Sequence, residues 1–352
     1  MSSYQINIKR ITFIACVIVL LQSGCSKNKS IQSTTKYDGY LFAYFEGAVE
    51  DHKLQEQLRF AVSEDALNWY ALNNNEPIIN SDDISQSGGI RDPHILRGED
   101  ENNFLIVATD MSTASNGWSE NPGILMLKSE DLINWTHGTV NLSKDYPEKF
   151  AEAYWVWAPQ TIYDSKADKY MVYFTVKFRN DDKLDFYYAY ANDNFDGFED
   201  EPQFMFRAKY GAIDGDIIYK DGIYHLFFKG NTKDENGVEF ENGIKQATAT
   251  SLQGPWQEHS EYLDVYHNSH TSVEGSSVFK LNDSDTYILM YDLYSSGRYE
   301  FQRSSDLYHF TEKPETFIMN FHPRHGSIIS ITREETIRLN KKWGGVPEAL
   351  TE

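Results

Sequence analysis

The sequence predicts an all-β fold, a five-bladed β-propeller whose ring is closed by N-terminal strands pairing with the C-terminal strand in one blade. Three observations predict it. Short runs rich in Tyr, Phe, Val, Ile and Thr follow one another from Tyr40 onward, two motifs alternate five times, and the chain begins and ends in partial repeats. The alternative is a β-sandwich whose turns resemble one another by coincidence.

The first motif is a turn that ends in an aromatic residue. Its five copies begin 54 to 66 residues apart, and they occupy residues 61–69, 127–135, 191–198, 249–256 and 303–310. Repeats of this length have room for about four short strands each, which is typical of propeller blades.

The second motif is a tight turn followed by an apolar strand. Its five copies each begin one residue before a Pro or Gly, at Asp92, Ala158, Asp214, Glu274 and His325. Because the first strand of each blade lines the central channel, we expect these five residues to form one column at one mouth of the channel. Residues 40–72 read as the later strands of a blade and residues 325–332 as a first strand, so they should share the fifth blade and protect edge strands.

The N-terminal segment has the layout of a secretory signal. Residues 1–24 contain a basic start and the apolar run 11–21, which is too short to span a bilayer, and small residues precede Cys25. We therefore predict a bacterial lipoprotein with a lipidated Cys25, a polar flexible tether over residues 25–36 and a single catalytic domain over residues 37–352. It would be exported and anchored by lipid only, facing the periplasm or the cell surface. A plain secretory signal is the alternative.

Composition restricts the partners. The formal charge is −21, and removal of Lys9 and Arg10 with the signal leaves −23, a field that repels nucleic acid and polyanions but leaves neutral sugars unaffected. Cys16 and Cys25 are the two cysteines of the chain, so the mature protein forms no internal disulfide. We expect a monomer with no nucleic-acid partner.

The predicted column brings together three carboxyl groups and a histidine. An Asp before Pro or Gly commonly starts a turn, and a His near a strand start is usually a packed core residue, but neither explains why acids are clustered against their own repulsion. Hydrolysis of a glycoside needs two carboxyl groups, one that protonates the leaving oxygen and one that activates water or attacks the sugar. A third acid next to the proton donor would raise the pKa of that donor.

From about Tyr40 to Thr332 the chain resembles glycoside hydrolase family 43. Five tripeptides in the family's order carry the resemblance: Arg91-Asp92-Pro93, Trp157-Ala158-Pro159, Ala212-Ile213-Asp214, Val273-Glu274-Gly275 and His325-Gly326-Ser327. The resemblance implies an inverting mechanism with Asp92 as base, Glu274 as acid and Asp214 as modulator of the acid. It also implies a metal ion, often calcium, or a water cluster on the propeller axis near His325, and no organic cofactor. Gln160 and Gly215 depart from the common family pattern.

Three further residues are candidate substrate contacts. Trp155 and Trp157 precede the apolar strand of the second blade, where their rings could stack on sugar faces, although packing between blades is the alternative. Arg298 resembles an arginine that family members direct at the cleaved sugar, although it also reads as a surface charge on a hairpin.

The sequence thus predicts an exo-acting, inverting hydrolase that releases furanosides from polysaccharide side chains, with an oligo- or polysaccharide as its partner. The sugars are α-L-arabinofuranosides or β-D-galactofuranosides. A β-xylosidase or galactosidase is the alternative enzyme. A non-catalytic glycan-binding lipoprotein is the alternative outside enzymes, and three crowded carboxyl groups argue against it.

Overall fold

The computed structural model describes residues 35–181, 183–230, 243–266 and 271–351. The predicted signal, the predicted lipidation site at Cys25 and nearly all of the predicted tether lie outside these residues. Within the described ranges, no helix is long and apolar enough to cross a membrane.

Twenty strands in the described residues form five four-stranded antiparallel sheets, numbered here by the order of their first strands. The chain starts with three strands of blade 5, namely β1 (Gly39–Glu46), β2 (Arg59–Ser63) and β3 (Tyr70–Ala71). Blade 1 follows with β4 (Ile90–Arg97), β5 (Phe104–Asp110), β6 (Gly123–Ser129) and β7 (Thr136–Asn141). Blade 2 contains β8 (Ala153–Asp164), β9 (Lys169–Phe178), β10 (Asp185–Tyr190) and β11 (Gln203–Phe206).

The remaining strands complete the ring. Blade 3 contains β12 (Ala212–Lys220), β13 (Ile223–Gly230), β14 (Ile244–Ala249) and β15 (Gln257–Glu258). Blade 4 contains β16 (Glu274–Lys280), β17 (Tyr287–Leu293), β18 (Arg298–Ser304) and β19 (Glu315–Thr316). The last strand, β20 (Pro323–Ile331), pairs with β1 and is the first strand of blade 5, so the order there is β20-β1-β2-β3.

This arrangement confirms the predicted five-bladed propeller and its ring closure. The five first strands contact one another in a circle, β4 with β8, β8 with β12, β12 with β16, β16 with β20 and β20 with β4. The core lies between neighbouring blades, as where Val107 and Met126 of blade 1 pack with Val172 and Phe174 of blade 2. Burial of these apolar faces is what stabilises a domain without disulfides.

Helices are short and peripheral. They are α1 (His52–Gln55), α2 (Thr113–Asn116), α3 (Leu142–Asp145), α4 (Pro147–Phe150) and α5 (Arg333–Trp343), with 3-10 turns at Leu72–Asn75, Ser81–Asp83 and Glu348–Leu350. Helix α5 begins at a capping box, in which Thr332 and Glu335 satisfy each other's backbone N–H groups. Glu335 also pairs with Arg97 of blade 1 at 2.6 Å, so α5 fastens the last strand to the first blade.

The first sequence motif forms the turn between the third and fourth strands of a blade. In blade 1, Oδ1 of Asp131 accepts hydrogen bonds from the backbone N–H groups of Ile133 and Asn134, and Leu132 takes a φ of 64°. Asp65 in blade 5 and Asp306 in blade 4 bind the equivalent N–H groups in the same way. The repeat in the sequence is therefore a repeated turn.

Candidate active site

The first strand of every blade carries a β-bulge at the equivalent position. In four of the five bulges the first extra residue has a positive φ, namely Asp92 (51°), Ala158 (45°), Asp214 (54°) and Gly275 (61°). His325 holds the same place in β20. In a regular strand the side chains at these five positions would point to the other face of the sheet. The bulges re-aim them, and the five positions form one row around the ring.

The bulges correct the predicted column at one position. Glu274 pairs with Asp292 just before the bulge, and Gly275 takes the place expected for Glu274. Glu274 is thus in the row of Arg91 and Arg324, one residue before the row of Asp92. The reason is steric, because a φ of 61° suits glycine, and a Cβ at this position would lie 3.0 Å from Cβ and Cγ of His325.

His325 lies between two of the carboxyl groups. Its Nδ1 is 3.5 Å from Oδ1 of Asp92 and 3.8 Å from Oδ1 of Asp214, and its side chain is almost fully buried. Burial alone would lower the pKa of His325, but the charges of Asp214 and Asp92 outweigh it and raise the pKa to about 9. His325 is therefore a buried imidazolium that offsets part of the repulsion between the acids.

Asp92 is held ionised. Its Oδ2 accepts a hydrogen bond from Oγ1 of Thr109 at 2.8 Å, and the same hydroxyl accepts one from the backbone N–H of Ala158 at 2.8 Å. Burial alone would raise the pKa of Asp92, but His325, Arg91 and the Thr109 hydroxyl hold it below its ordinary value. An ionised carboxylate at this position can accept a proton.

The pKa of Asp214 is shifted in the opposite direction to that of Asp92. Its Oδ2 accepts the backbone N–H of Gly275 at 2.9 Å. Burial raises the pKa of Asp214, and the charges of Glu274 and Asp92 add to this effect against His325 and Lys229. Of the three carboxyl groups, Asp214 is therefore the one whose pKa is raised rather than lowered.

Glu274 sits between two cations. Lys229 Nζ lies 3.1 Å from one of its carboxylate oxygens and a guanidinium nitrogen of Arg324 lies 2.7 Å from the other. Nε of Arg324 is in turn 2.5 Å from the fully buried Asp292. Burial alone would raise the pKa of Glu274, but Lys229 and Arg324 outweigh it and lower the pKa. The expectation of a raised pKa for this residue therefore does not describe the unliganded protein.

An open pocket exposes Glu274. Its walls include Phe45, Arg91, Trp118, Tyr294 and Arg324. The side chain of Glu274 is 21% exposed, whereas those of Asp92 and Asp214 are 15% and 9% exposed, and these two are not among the lining residues. Glu274 is therefore the carboxyl group nearest the mouth of the site.

The rings of Trp155 and Trp157 lie within β8 rather than before it. They stack on each other with centroids 4.3 Å apart, and Nζ of Lys177 lies 4.7 Å from the ring of Trp155. Nε1 of Trp157 donates to Oδ1 of Asn121 at 2.9 Å. A ring and a cation thus pack against Trp155, and the roles of Trp155 and Trp157 as sugar contacts stay predictions.

The structure does not bring Arg298 to this pocket. Arg298 starts β18, is half exposed, and pairs with Glu300 at 2.8 Å. The arginine beside Glu274 is Arg324 instead. The role of Arg298 as a substrate contact stays a prediction.

The two departures from the family pattern have local reasons. Gln160 is buried and accepts the hydroxyl of Tyr173 at 3.1 Å. Gly215 lies against Phe186, whose ring carbon Cζ would be 2.6 Å from an added Cβ. The common proline would not fit at Gly215 without moving this ring.

The residues around His325 bear on the predicted calcium ion. No group of three or more His, Cys, Asp or Glu in the part of the chain that the structure describes is arranged to hold a metal ion. Nδ1 of His325 faces the carboxyl groups of Asp92 and Asp214, and calcium prefers six to eight oxygen ligands. A calcium ion near His325 therefore stays a prediction.

Sequence reasoning missed four residues of the site, Thr109, Lys229, Arg324 and Trp118. Thr109 and Lys229 lie on second strands, and they reach the site because they pair with the residues before the bulges, Arg91 and Ile213. Arg324 directly precedes His325, and this adjacency was the one available signal.

Comparisons with known proteins find relatives of this chain. A family model for a domain related to glycoside hydrolase family 43, described as "Probable glycosyl hydrolase domain", matches residues 35–336. An α-L-arabinofuranosidase from Bifidobacterium longum is 25% identical over 264 residues, which are 65% of this chain and 24% of that protein. The chain thus spans about a quarter of the length of this relative.

Solved structures share the fold. A family 43 β-1,3-galactosidase superposes with a TM-score of 0.53 and 14% identity over 73% of this chain and 51% of that one. An α-L-arabinofuranosidase from Clostridium thermocellum superposes with a TM-score of 0.54 and 8% identity over 76% of this chain and 84% of that one. At such identities the likeness concerns the fold alone.

Proposed function

Because the chain belongs to the family of domains related to glycoside hydrolase family 43, we propose that it is a glycosidase that hydrolyses O-glycosyl bonds. The observation that carries the proposal is the convergence of Asp92, Asp214 and Glu274 from three blades, two of them facing one buried imidazolium. Clustered acids are costly, and glycoside hydrolysis is a reaction that needs them.

In the proposed mechanism Asp92 is the general base. Its ionised carboxylate takes a proton from a water molecule, and that water attacks the anomeric carbon from the face opposite the leaving group. The Thr109 hydroxyl and His325 stabilise the ionised form before the reaction and orient it. The proton moves to a carboxylate oxygen of Asp92 as the new C–O bond forms.

Glu274 is the general acid in this mechanism, because it lies nearest the pocket mouth, where a leaving group would depart. It must carry a proton when substrate is bound, although Lys229 and Arg324 favour its ionised form in the free protein. A bound sugar displaces water from Glu274, and this further desolvation raises its pKa. Asp214 supports the same change through its negative charge when ionised.

Inversion and exo action are part of the proposal. An inverting pair has its carboxyl groups about 6.5 to 9.5 Å apart, which leaves room for the water. NMR identifies the anomer of the product that forms first, and this anomer shows whether the reaction inverts or retains the configuration. A retained anomer would contradict the role of Asp92 as a base.

The proposed substrates are α-L-arabinofuranosides or β-D-galactofuranosides on polysaccharide side chains. The name of the B. longum relative supports the first, at 25% identity over a quarter of that protein. Action on β-xylosides or galactosides is the alternative within enzymes.

One observation favours a non-enzymatic alternative. Two cations beside Glu274 stabilise its ionised form, whereas a proton donor must be protonated before it reacts. A glycan-binding protein has no such requirement. The test is therefore whether the carboxyl groups change turnover or only binding.

The experiment uses protein lacking residues 1–25 and a panel of chromogenic aryl furanosides and pyranosides. Glu274→Gln should lose about 10²- to 10⁴-fold in rate on substrates with poor leaving groups and less on activated ones, because the latter need little protonation. Asp92→Asn should lose rate on every substrate. Glu312→Gln, an exposed acid outside the site, is the matched control. Glycan binding without turnover by the wild type across the panel would favour the binding protein.

We also propose that Cys25 is lipidated and holds the protein on a membrane of the exporting cell. Cys25→Ser should move the protein to the soluble fraction and leave its activity unchanged. Continued fractionation with membranes would contradict the anchor.

A further inference from the structure

One wall of the pocket at Glu274 is an alternating stack of rings and cations. The guanidinium of Arg324 lies 6.0 Å from the ring of Tyr294 and 5.7 Å from that of Phe45. The guanidinium of Arg91 lies 4.7 Å from the same Phe45 ring and 5.2 Å from the ring of Trp118. The order is therefore Tyr294, Arg324, Phe45, Arg91, Trp118. The ring of Trp118 also meets that of Trp157 edge-on, with centroids 6.4 Å apart.

The arginine beneath Trp118 is fixed by an ion pair. Arg91 lies 2.8 Å from Oε1 of the buried Glu56. Glu56 also accepts hydrogen bonds from Oγ1 of Thr113 at 2.5 Å and from the backbone N–H of Ala114 at 3.2 Å. Both donors belong to helix α2, which leads into Trp118, so one carboxylate holds the cation and the segment that carries the ring.

Trp118 nevertheless remains largely in solvent. It is 62% exposed, more than any other large apolar side chain in the described residues. The preceding Gly117 has a φ of 63° and open space around it, and this turn presents the ring at the rim. A Trp that is already oriented and still exposed can bury a large apolar surface on a ligand with little loss of conformational freedom.

We propose that Trp118 is a stacking platform for the sugar unit on the leaving-group side of the cleaved bond. This inference rests on the proposed function. Trp118 lines the same open pocket as Glu274, which would protonate the leaving oxygen, whereas Asp92 and Asp214 are more deeply placed. A ring at the rim therefore contacts the sugar on the leaving-group side of the cleaved bond. It does not contact the terminal sugar that exo action releases.

The chemistry of the wall defines the class of ligand. Both arginines have acidic partners, Arg91 in Glu56 and Arg324 in Asp292 and Glu274, so the wall offers no unpaired cation for an anionic sugar. The platform should bind a neutral sugar through a face rich in C–H groups. The substrate is then an oligosaccharide or polysaccharide with a neutral sugar after the cleaved bond, not a free glycoside of a small alcohol.

The test measures binding without turnover, by calorimetry in a Glu274→Gln background. The probes are α-1,5-linked arabinotriose and free arabinose. Trp118→Ala should weaken binding of the trisaccharide by about 5- to 10-fold and change arabinose binding by about twofold or less. Trp118→Phe, which keeps an aromatic face, should retain most of the affinity. Tyr219→Ala, which removes a similarly exposed ring outside the pocket, should bind like the parent.

Three results would overturn the platform. Equal weakening for trisaccharide and monosaccharide would move Trp118 to the released sugar, and unchanged trisaccharide affinity in Trp118→Ala would remove it from the site. A Glu274→Gln parent that binds neither probe would overturn the proposed arabinofuranoside specificity together with the platform. A parent that binds both, combined with an unaffected Trp118→Ala variant, would refute the platform alone.

Discussion

The hydroxyl of Thr109 offers a sharp test of how Asp92 is kept ionised. Thr109 is fully buried, accepts the N–H of Ala158 and donates to Oδ2 of Asp92, so the N–H fixes which way the hydroxyl proton points. Thr109→Val keeps the shape and removes the donor. Asp92 then loses a bond that stabilises its ionised form only.

The magnitude follows from the type of bond. A hydrogen bond to a charged group contributes about 1.5 to 3 kcal/mol, and about 1.4 kcal/mol is a factor of ten. Because the bond lowers the pKa of Asp92, its loss raises that pKa and moves the acidic limb of the pH profile to higher pH. On that limb we expect kcat/KM to fall by about tenfold or more, with a much smaller loss at higher pH, where Asp92 is ionised in both proteins.

The assay is kcat/KM against pH with an activated aryl furanoside, for which the general acid matters least. Thr109→Ser retains the hydroxyl and is the matched control, which should keep the wild-type limb. A loss that is equal at all pH values, or an unmoved acidic limb, would refute the reasoning and reduce Thr109 to a packing residue.

Three further predictions concern the charges and the strain around the site. Lys229→Met should raise the pKa of Glu274 and move the alkaline limb of kcat/KM to higher pH, and an unmoved limb would contradict the ion pair. His325 has a pKa raised from 6.5 to about 9, so its ion pairs stabilise the fold fully below about pH 6.5 and are lost as pH rises through about 9. Between these pH values the wild type should lose more unfolding free energy than His325→Gln in denaturant titrations. Gly275→Ala should lower the melting temperature more than Gly222→Ala, since both have a positive φ but only the first would press on His325; equal losses would assign the whole effect to φ.

Most of the fold was predictable because each blade repeats the same local signals. The turn of the first motif needs a side chain that binds successive N–H groups, and Asp65, Asp131 and Asp306 supply it. The ring closure followed from partial repeats at the two ends. Helix α5 was not predicted, although Thr332 and Glu335 form a capping box at its start.

The placement of Glu274 was not predictable in the same way. The sequence repeat aligned the residues before Pro or Gly, whereas the structure aligns the residues at the bulge. Asp92 and Asp214 satisfy both criteria because Asp tolerates a positive φ, but a glutamate is disfavoured there and Gly275 takes the position. The positive φ that the bulge requires therefore decides which residue of the motif takes this position and faces the axis.

The sequence by itself determined the number of blades, the closure of the ring and the three carboxyl groups, because each depends on local patterns repeated at a fixed spacing. Only the tertiary structure decided the charges around those groups. Lys229, Arg324, Thr109 and Trp118 come from different strands and loops, and their distances to the acids depend on strand pairing between residues far apart in the chain. Ion pairs, hydrogen bonds and ring contacts need partners within a few ångströms, so such partners become visible only when the whole ring is assembled.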